Sequence, residues 1–312
     1  HPYTSHIQHF SLAENGLLLA LVACNTAGIF CSMLATDPLF REYFPHYLPT
    51  EEELSITATL VSAKPQLQEQ LQEFIAINAD FKATLRRFCW QAKQDGLHGA
   101  ACAEEAVRLL ESCWDKRVKL ELNSILESPS FPDEYWASFM DIVPQTYHGL
   151  GLRGQPIMLI RSGVDATSFN KLLSAGRGHA VGGVNAAVLC FLRCEECLFR
   201  RTVPRESKEV GHLTDRVILI IDLWGVGLGH IGFAKDFLAV AVKQTVVLYP
   251  ETLDRVLVVN AAWAFARLLW PILKQLLHPV TQRKVEIVDA SQTRAKLLEH
   301  MDENSIPKQY NG

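Results

Sequence analysis

The chain has 312 residues, 48% of them hydrophobic, and a formal net charge of −4. That length allows one large domain or two modest ones, with enough apolar side chains for a sizeable core. The acidic balance argues against a nucleic-acid binder, whose footprint would be basic.

The chain opens at His1 rather than Met, so a fragment or a processed product is expected. Leu17 to Leu34 is strongly apolar, broken mainly by Asn25, Thr26 and Ser32. It is near the minimum length for a membrane span, but neither flank carries a basic cluster to orient one. A buried helix is expected there. Thr50 with Glu53 forms a capping box at the head of the next helix. Leu67, Leu71, Phe74 and Ile75 then recur at helical spacing within 66–77. Asp80 caps a helix carrying Phe81, Leu85, Phe88 and Cys89, and Gly96 to Gly99 breaks it. Ala101 to Leu122 resumes, and Ser128 to Pro132 is loop.

From there helices and strands alternate. Strands are expected at Pro156–Ile160, Val217–Leu223, Arg255–Asn260 and Lys284–Val288. Helices are expected at Ser168–Ala175, Val184–Arg201, His230–Val247, Ala262–Leu277 (with Pro271 inside) and Ser291–His300. This order implies an α/β fold with a mostly parallel sheet, behind an all-helical N-terminal lobe. Three regions follow: an apolar extension at 1–50, a helical lobe at 51–130 and an α/β lobe at 131–312.

Cys24, Cys31, Cys89, Cys102, Cys113, Cys190, Cys194 and Cys197 form no regular framework, so reduced thiols in a cytosolic compartment are expected. Cys194-Glu-Glu-Cys197 lacks a second pair at zinc spacing, and a structural role on one helix face is expected.

The stretch Arg216 to His230 carries the main ambiguity. A β-branched run reaches Asp222, and Gly227, Gly229 and Gly232 then spell G-x-G-x-x-G before a helix. That is the order of a dinucleotide-binding turn. However, the next strand ends in Val258-Val259-Asn260-Ala261, without the acid that would bind ribose hydroxyls. Asp222 to Gly225, and Val226 after them, also separate the β-branched run from the motif, where a dinucleotide turn begins at once. The helix 230–247 is apolar around much of its circumference, and Ala262–Leu277 shows the same excess. Such helices are either deeply buried or wall an apolar cavity.

A series of landmarks runs along the chain: Thr84-Leu-Arg-Arg-Phe88, Ala103-Glu-Glu-Ala106 through Trp114-Asp-Lys-Arg117, and Gly154-Gln-Pro156. Ile221-Asp-Leu-Trp-Gly225, Tyr249-Pro-Glu251 and Val259-Asn-Ala261 follow, then Pro279 to Lys284 and Ile306 to Gly312. With these in order, the chain from Asp80 to Gly312 resembles the CRAL-TRIO lipid-binding domain of phosphatidylinositol/phosphatidylcholine transfer proteins. The resemblance implies a sheet flooring a gated hydrophobic pocket lined by Leu219, Ile221, Phe233, Phe237, Val240 and Val258. The gate would be the helix carrying Phe265, Leu268, Leu269, Ile272 and Leu273, bent at Pro271. It would cover acyl chains when closed and touch membrane when open. Arg267 and Lys274 would either meet lipid phosphates or remain solvated surface charges.

In the phosphatidylinositol-binding branch a threonine and a lysine three residues later contact the headgroup. Thr281 and Lys284 stand at those positions, and Lys93 near a further basic one. A hydroxyl and a cation suit a phosphate. That branch also has an Arg–Glu pair, replaced here by Ala92 and Val240, and choline-binding serines, replaced by Gly227 and Gly229. The resemblance thus implies a monomeric, non-enzymatic, cytoplasmic protein that touches membranes peripherally and needs no metal or cofactor besides bound lipid. A phosphatidylinositol-like phospholipid is expected. The alternatives are an NAD(P)-linked oxidoreductase using Gly227–Gly232, and a regulatory module that senses lipid without moving it.

Overall fold

The computed structural model divides into two units, His1–Leu48 and Pro49–Gly312. It describes residues 49–312 except 71–80, 162–165, 176–183, 212–213, 215, 228–229 and 311–312. The apolar stretch Leu17–Leu34, the Asp80 cap and Gly229 lie outside the described residues, as does the side chain of Phe233.

Helices α1 (Glu51–Ser62), α2 (Phe81–Gln94) and α3 (Gly99–Lys119) pack on one another as the helical lobe. Thr50 Oγ1 accepts from Glu53 N–H at 3.1 Å, and Glu53 Oε2 accepts from Thr50 N–H at 2.8 Å. This reciprocal cap is the one expected from the sequence, worth about 1 kcal/mol. The lobe joins the rest of the molecule where α3 packs on α8 (Ile231–Leu248). A buried ion pair helps to fix the junction. Arg117 Nη1 and Nη2 donate to Glu196 Oε1 and Oε2 at 2.8 and 2.7 Å, and Tyr249 O–H also donates to Glu196.

Five strands lie in the order β1 (Gln145–Leu150), β2 (Pro156–Arg161), β3 (Val217–Asp222), β4 (Leu253–Val259) and β5 (Val285–Ile287). The β1–β2 pair is antiparallel, and the other pairs are parallel. β2, β3 and β4 carry apolar residues on both faces, so these strands read as near-continuous apolar runs. Ile157, Leu159, Ile218, Ile220, Leu257 and Val259 pack on the C-terminal helix α11 (Ala290–Leu298) and the tail to Tyr310. Met158, Ile160, Leu219, Ile221, Val256 and Val258 alternate onto the opposite face.

The sequence reading missed several elements. β1, with the sequence QTYHGL, has one buried residue and lies at the sheet edge, so apolar periodicity does not reveal it. Helix α4 (Asp133–Ile142) follows the expected loop and stacks Trp136 near Phe139. Helix α5 is Ala166–Ala175, and α6 is Val184–Cys197. α6 does not stop near Arg201. It widens into a π turn at Leu198–Thr202 and continues as α7 (Val203–Val210). Pro204 directly follows the wide turn, which accommodates a residue that cannot donate an N–H to the helix before it. Of the three clustered cysteines, Cys190 and Cys194 are buried and Cys197 is exposed.

Candidate functional site: an open apolar sheet face

The two faces of the central strand are unequally sealed. Ile218 and Ile220 are 1% and 0% exposed beneath α11 and the tail. Leu219 and Ile221, alternating with them, are only half-buried although β3 lies mid-sheet between β2 and β4. Around them stand Leu223, Val226, Val256, Val258 and Phe265 in one apolar cluster. Leu219 also touches the main core, against which half-buried Phe237 and Val240 of α8 pack. Phe237 meets Phe191 edge-on at 5.9 Å. Leu219 and Ile221 thus leave part of this face within reach of solvent, with Val258 buried beside Ile221 and with Phe237 and Val240 packed on the core that Leu219 touches.

The β4–β5 crossover runs over this face. It begins near Trp263, winds a π turn at Phe265–Leu269, continues as α9 (Trp270–Leu273) and ends in a 3-10 turn at Lys274–Leu276. Pro271 sits in the first turn of α9, just after the wide turn. The single apolar face expected for this helix is split. Leu269 and Leu273 are each 5% exposed, and Phe265 packs toward the sheet. Leu268 and Ile272 are 55% and 52% exposed and point away. In each of the adjacent pairs 268/269 and 272/273 only the second residue turns inward.

At the other end of the crossover lies Lys284, 2% exposed, just after α10 (Pro279–Arg283). Its Nζ donates to Glu251 Oε2 at 3.0 Å and to the Leu253 carbonyl at 2.9 Å, and sits 5.4 Å from the Trp90 ring. Gln94 Nε2 donates to the second oxygen of Glu251 at 2.6 Å. Glu251 itself holds a left-handed backbone, φ 56°. Thr281, three residues before Lys284, is half-buried on α10. Lys93 is also buried, but elsewhere in the lobe. Its Nζ donates to Glu53 at 2.9 and 2.8 Å, and Gly99 N–H donates to the same carboxylate at 2.9 Å. Burial acts to raise the Glu53 pKa, yet the donors from Lys93, Thr50 and Gly99 hold it below the usual value. The two lysines expected at a headgroup thus have separate carboxylate partners. Neither Glu53 nor Glu251 stood out as a partner in the sequence, although Glu251 lies in the Tyr-Pro-Glu landmark.

The described residues of the turn after β3 bond to one another. Trp224 N–H donates to Asp222 Oδ1 at 2.9 Å, Val226 N–H to the Leu223 carbonyl at 3.0 Å, and Gly227 N–H to His230 Nδ1 at 3.1 Å. His230 N–H returns to the Gly227 carbonyl at 3.1 Å. A dinucleotide turn would aim such donors at a pyrophosphate. Asp222 also accepts from Asn260 Nδ2 and Tyr310 O–H, each at 2.8 Å. One buried carboxylate therefore ties together three of the quoted landmarks. Elsewhere, Glu286, Glu299 and His300 offer atoms within 4.8 Å of one another, but Lys296 already donates to both carboxylates at 2.9 and 2.8 Å.

The fold and this geometry define an α/β domain with one sealed and one open apolar face on a mostly parallel sheet. A family model, the CRAL/TRIO domain, matches residues 143–312, and the chain belongs to that family. It is 32% identical over 167 residues to phosphatidylinositol/phosphatidylcholine transfer protein SFH12 of Arabidopsis thaliana, covering 53% of this chain and 29% of that protein. It is 28% identical over 232 residues to the SEC14 cytosolic factor of Yarrowia lipolytica, covering 74% of this chain and 43% of that protein. The chain thus spans less than half the length of these two relatives. The crystal structure of Sfh5 matches with a TM-score of 0.54 at 13% identity, covering 84% of this chain and 94% of that one. That likeness shows the fold.

Proposed function

We propose that the chain holds one lipid against the open sheet face and exchanges it with membranes. The observation that carries this is the half-buried state of Leu219 and Ile221 at the centre of a sheet whose other face is sealed. Apolar surface left uncovered mid-sheet calls for an apolar occupant, and each methylene buried there contributes about 0.8 kcal/mol. Phe265, Leu269 and Leu273 form the inner wall of a gate, and Leu268 and Ile272 its outer surface. The relatives named for phosphatidylinositol and phosphatidylcholine transfer support a phospholipid. The basic Lys284 beside Thr281 favours an inositol-type phosphate over choline. Glu251 holds the lysine until the anionic headgroup competes for it. Lys93, already bound by Glu53, serves the helical lobe in this reading. In this reading no cofactor is needed and the role is non-enzymatic.

Among the described residues no helix is long and apolar enough to cross a membrane, in keeping with peripheral contact. Transfer of labelled lipid between vesicles tests the proposal. Phosphatidylinositol should move faster than the uncatalysed background, and Lys284→Ala should slow it more than phosphatidylcholine. No transfer of either lipid would contradict exchange. A lipid-loaded chain that moves nothing would instead be a sensing module.

A further inference from the structure

Two tryptophans stand out from the surface at the C-terminal edge of the sheet. Trp224 is 67% exposed in the turn after β3, and Trp263 is 71% exposed after β4. Both follow within three residues the bonded pair Asp222 and Asn260, so a rigid hydrogen-bonded corner carries them. Neither belongs to the inner wall of the gate. From Trp263 an outer apolar ridge continues through Leu268, Ile272 and Leu276, the last 38% exposed. Large exposed apolar residues grouped in this way mark a contact surface.

The charge pattern selects the occupant. Between Asp254 and Glu286 the chain has no acidic residue, but it carries Arg255, Arg267, Lys274, Arg283 and Lys284. Arg267, Lys274 and Arg283 are exposed. From Leu223 to Ala234 there is no charged residue at all. A chain with net charge −4 thus presents a locally basic apolar ridge. Tryptophan prefers the headgroup level of a bilayer, where its ring is buried and its N–H stays wet. Arginine and lysine beside it can lay their stems on the apolar surface and reach anionic phosphates.

We propose that Trp224 and Trp263 are a fixed docking pair that seats this edge on an anionic bilayer surface, with Arg267, Lys274 and Arg283 selecting the charge. This deepens the lipid-exchange reading and rests on it. Docking would place the start of the crossover at the membrane before the gate moves.

The test is co-sedimentation of the full chain with vesicles of phosphatidylcholine alone or mixed with phosphatidylserine, alongside native mass spectrometry for bound lipid. Trp224→Ala with Trp263→Ala should weaken binding to the mixed vesicles about tenfold, equivalent to ~1.4 kcal/mol. Both sites are exposed, and retained lipid loading would show that the fold survives. Arg267→Gln with Lys274→Gln should remove the preference for phosphatidylserine. Added salt should do the same to the wild type. Wild-type binding by the tryptophan variant, or no phosphatidylserine preference in the wild type, would overturn the docking proposal. A wild-type chain that never carries lipid would instead sink the lipid-exchange reading.

Discussion

Asn260 Nδ2 donates to Asp222 Oδ1 at 2.8 Å, joining the C-terminal ends of β3 and β4 through side chains as well as through the sheet. Tyr310 O–H binds the other oxygen of the same carboxylate, 88 residues away in sequence. Asn260 needs its left-handed backbone, φ 53°, to turn back toward Asp222, a conformation asparagine tolerates better than most residues. Asp222→Ala should therefore cost about 2–3 kcal/mol, as expected for losing hydrogen bonds to a buried charged group. Tyr310→Phe should cost less, about 1–2 kcal/mol. Urea denaturation of both variants measures this. Equal and negligible losses would show the network to be incidental.

The Lys284–Glu251 pair predicts a ligand-dependent stability. Glu251→Gln leaves a buried cation without its anion, which should cost roughly 3 kcal/mol in the empty protein. A phosphate-bearing lipid should restore much of that loss. The variant should also bind phosphatidylinositol about tenfold more tightly than wild type, ~1.4 kcal/mol, because the internal competitor is gone. Thermal shifts with and without the lipid read both effects.

Glu195 lies next to the fully engaged Glu196. Burial first, and the neighbouring Glu196 charge second, push its pKa up to about 8. The folded state therefore favours the protonated carboxyl. Stability from this group is present at low pH and is lost as pH rises from the ordinary carboxylate range through about 8. Glu195→Gln should raise the melting temperature near pH 8 and change it little near pH 5. An equal shift at both would show that Glu195 does not titrate in this window.

Arg117 and Glu196, each 1% exposed, hold the helical lobe to α6. Arg117→Met should destabilise by about 3 kcal/mol, since it removes the two-pronged partner of buried Glu196 and leaves it Tyr249 O–H and Arg200 at 3.8 Å. The double variant Arg117→Met, Glu196→Leu should recover part of the loss. Denaturant midpoints of the single and double variants check this, and an unrecovered double variant would assign the cost to packing instead.

Much of the fold was legible because its signals are local. The β2, β3 and β4 runs are apolar on both faces, and Thr50 with Glu53 announced a cap three residues long. The antiparallel β1 was not legible, being a polar edge strand whose pairing depends on β2. Helix α7 was hidden by Pro204, which reads as a stop but directly follows the wide turn. The alternation of Leu219 and Ile221 with Ile218 and Ile220 was legible from the strand period, while which of Leu268, Leu269, Ile272 and Leu273 turn inward depends on how the crossover packs. The lysine partners were not legible. Glu53 stands 40 residues from Lys93, and Glu251 stands 33 from Lys284. Only the fold brings those carboxylates in, and it turns two exposed-looking cations into buried, paired ones.

The central claim is that the uncovered face around Leu219 and Ile221 holds a lipid. Native mass spectrometry of the purified chain tests it most directly, with Ile221→Trp as a variant that fills the space from the sheet side. One phospholipid mass per wild-type chain, absent or much reduced in the variant, is the predicted result. An unliganded wild type after incubation with phospholipid vesicles, or identical loading of both proteins, would contradict it.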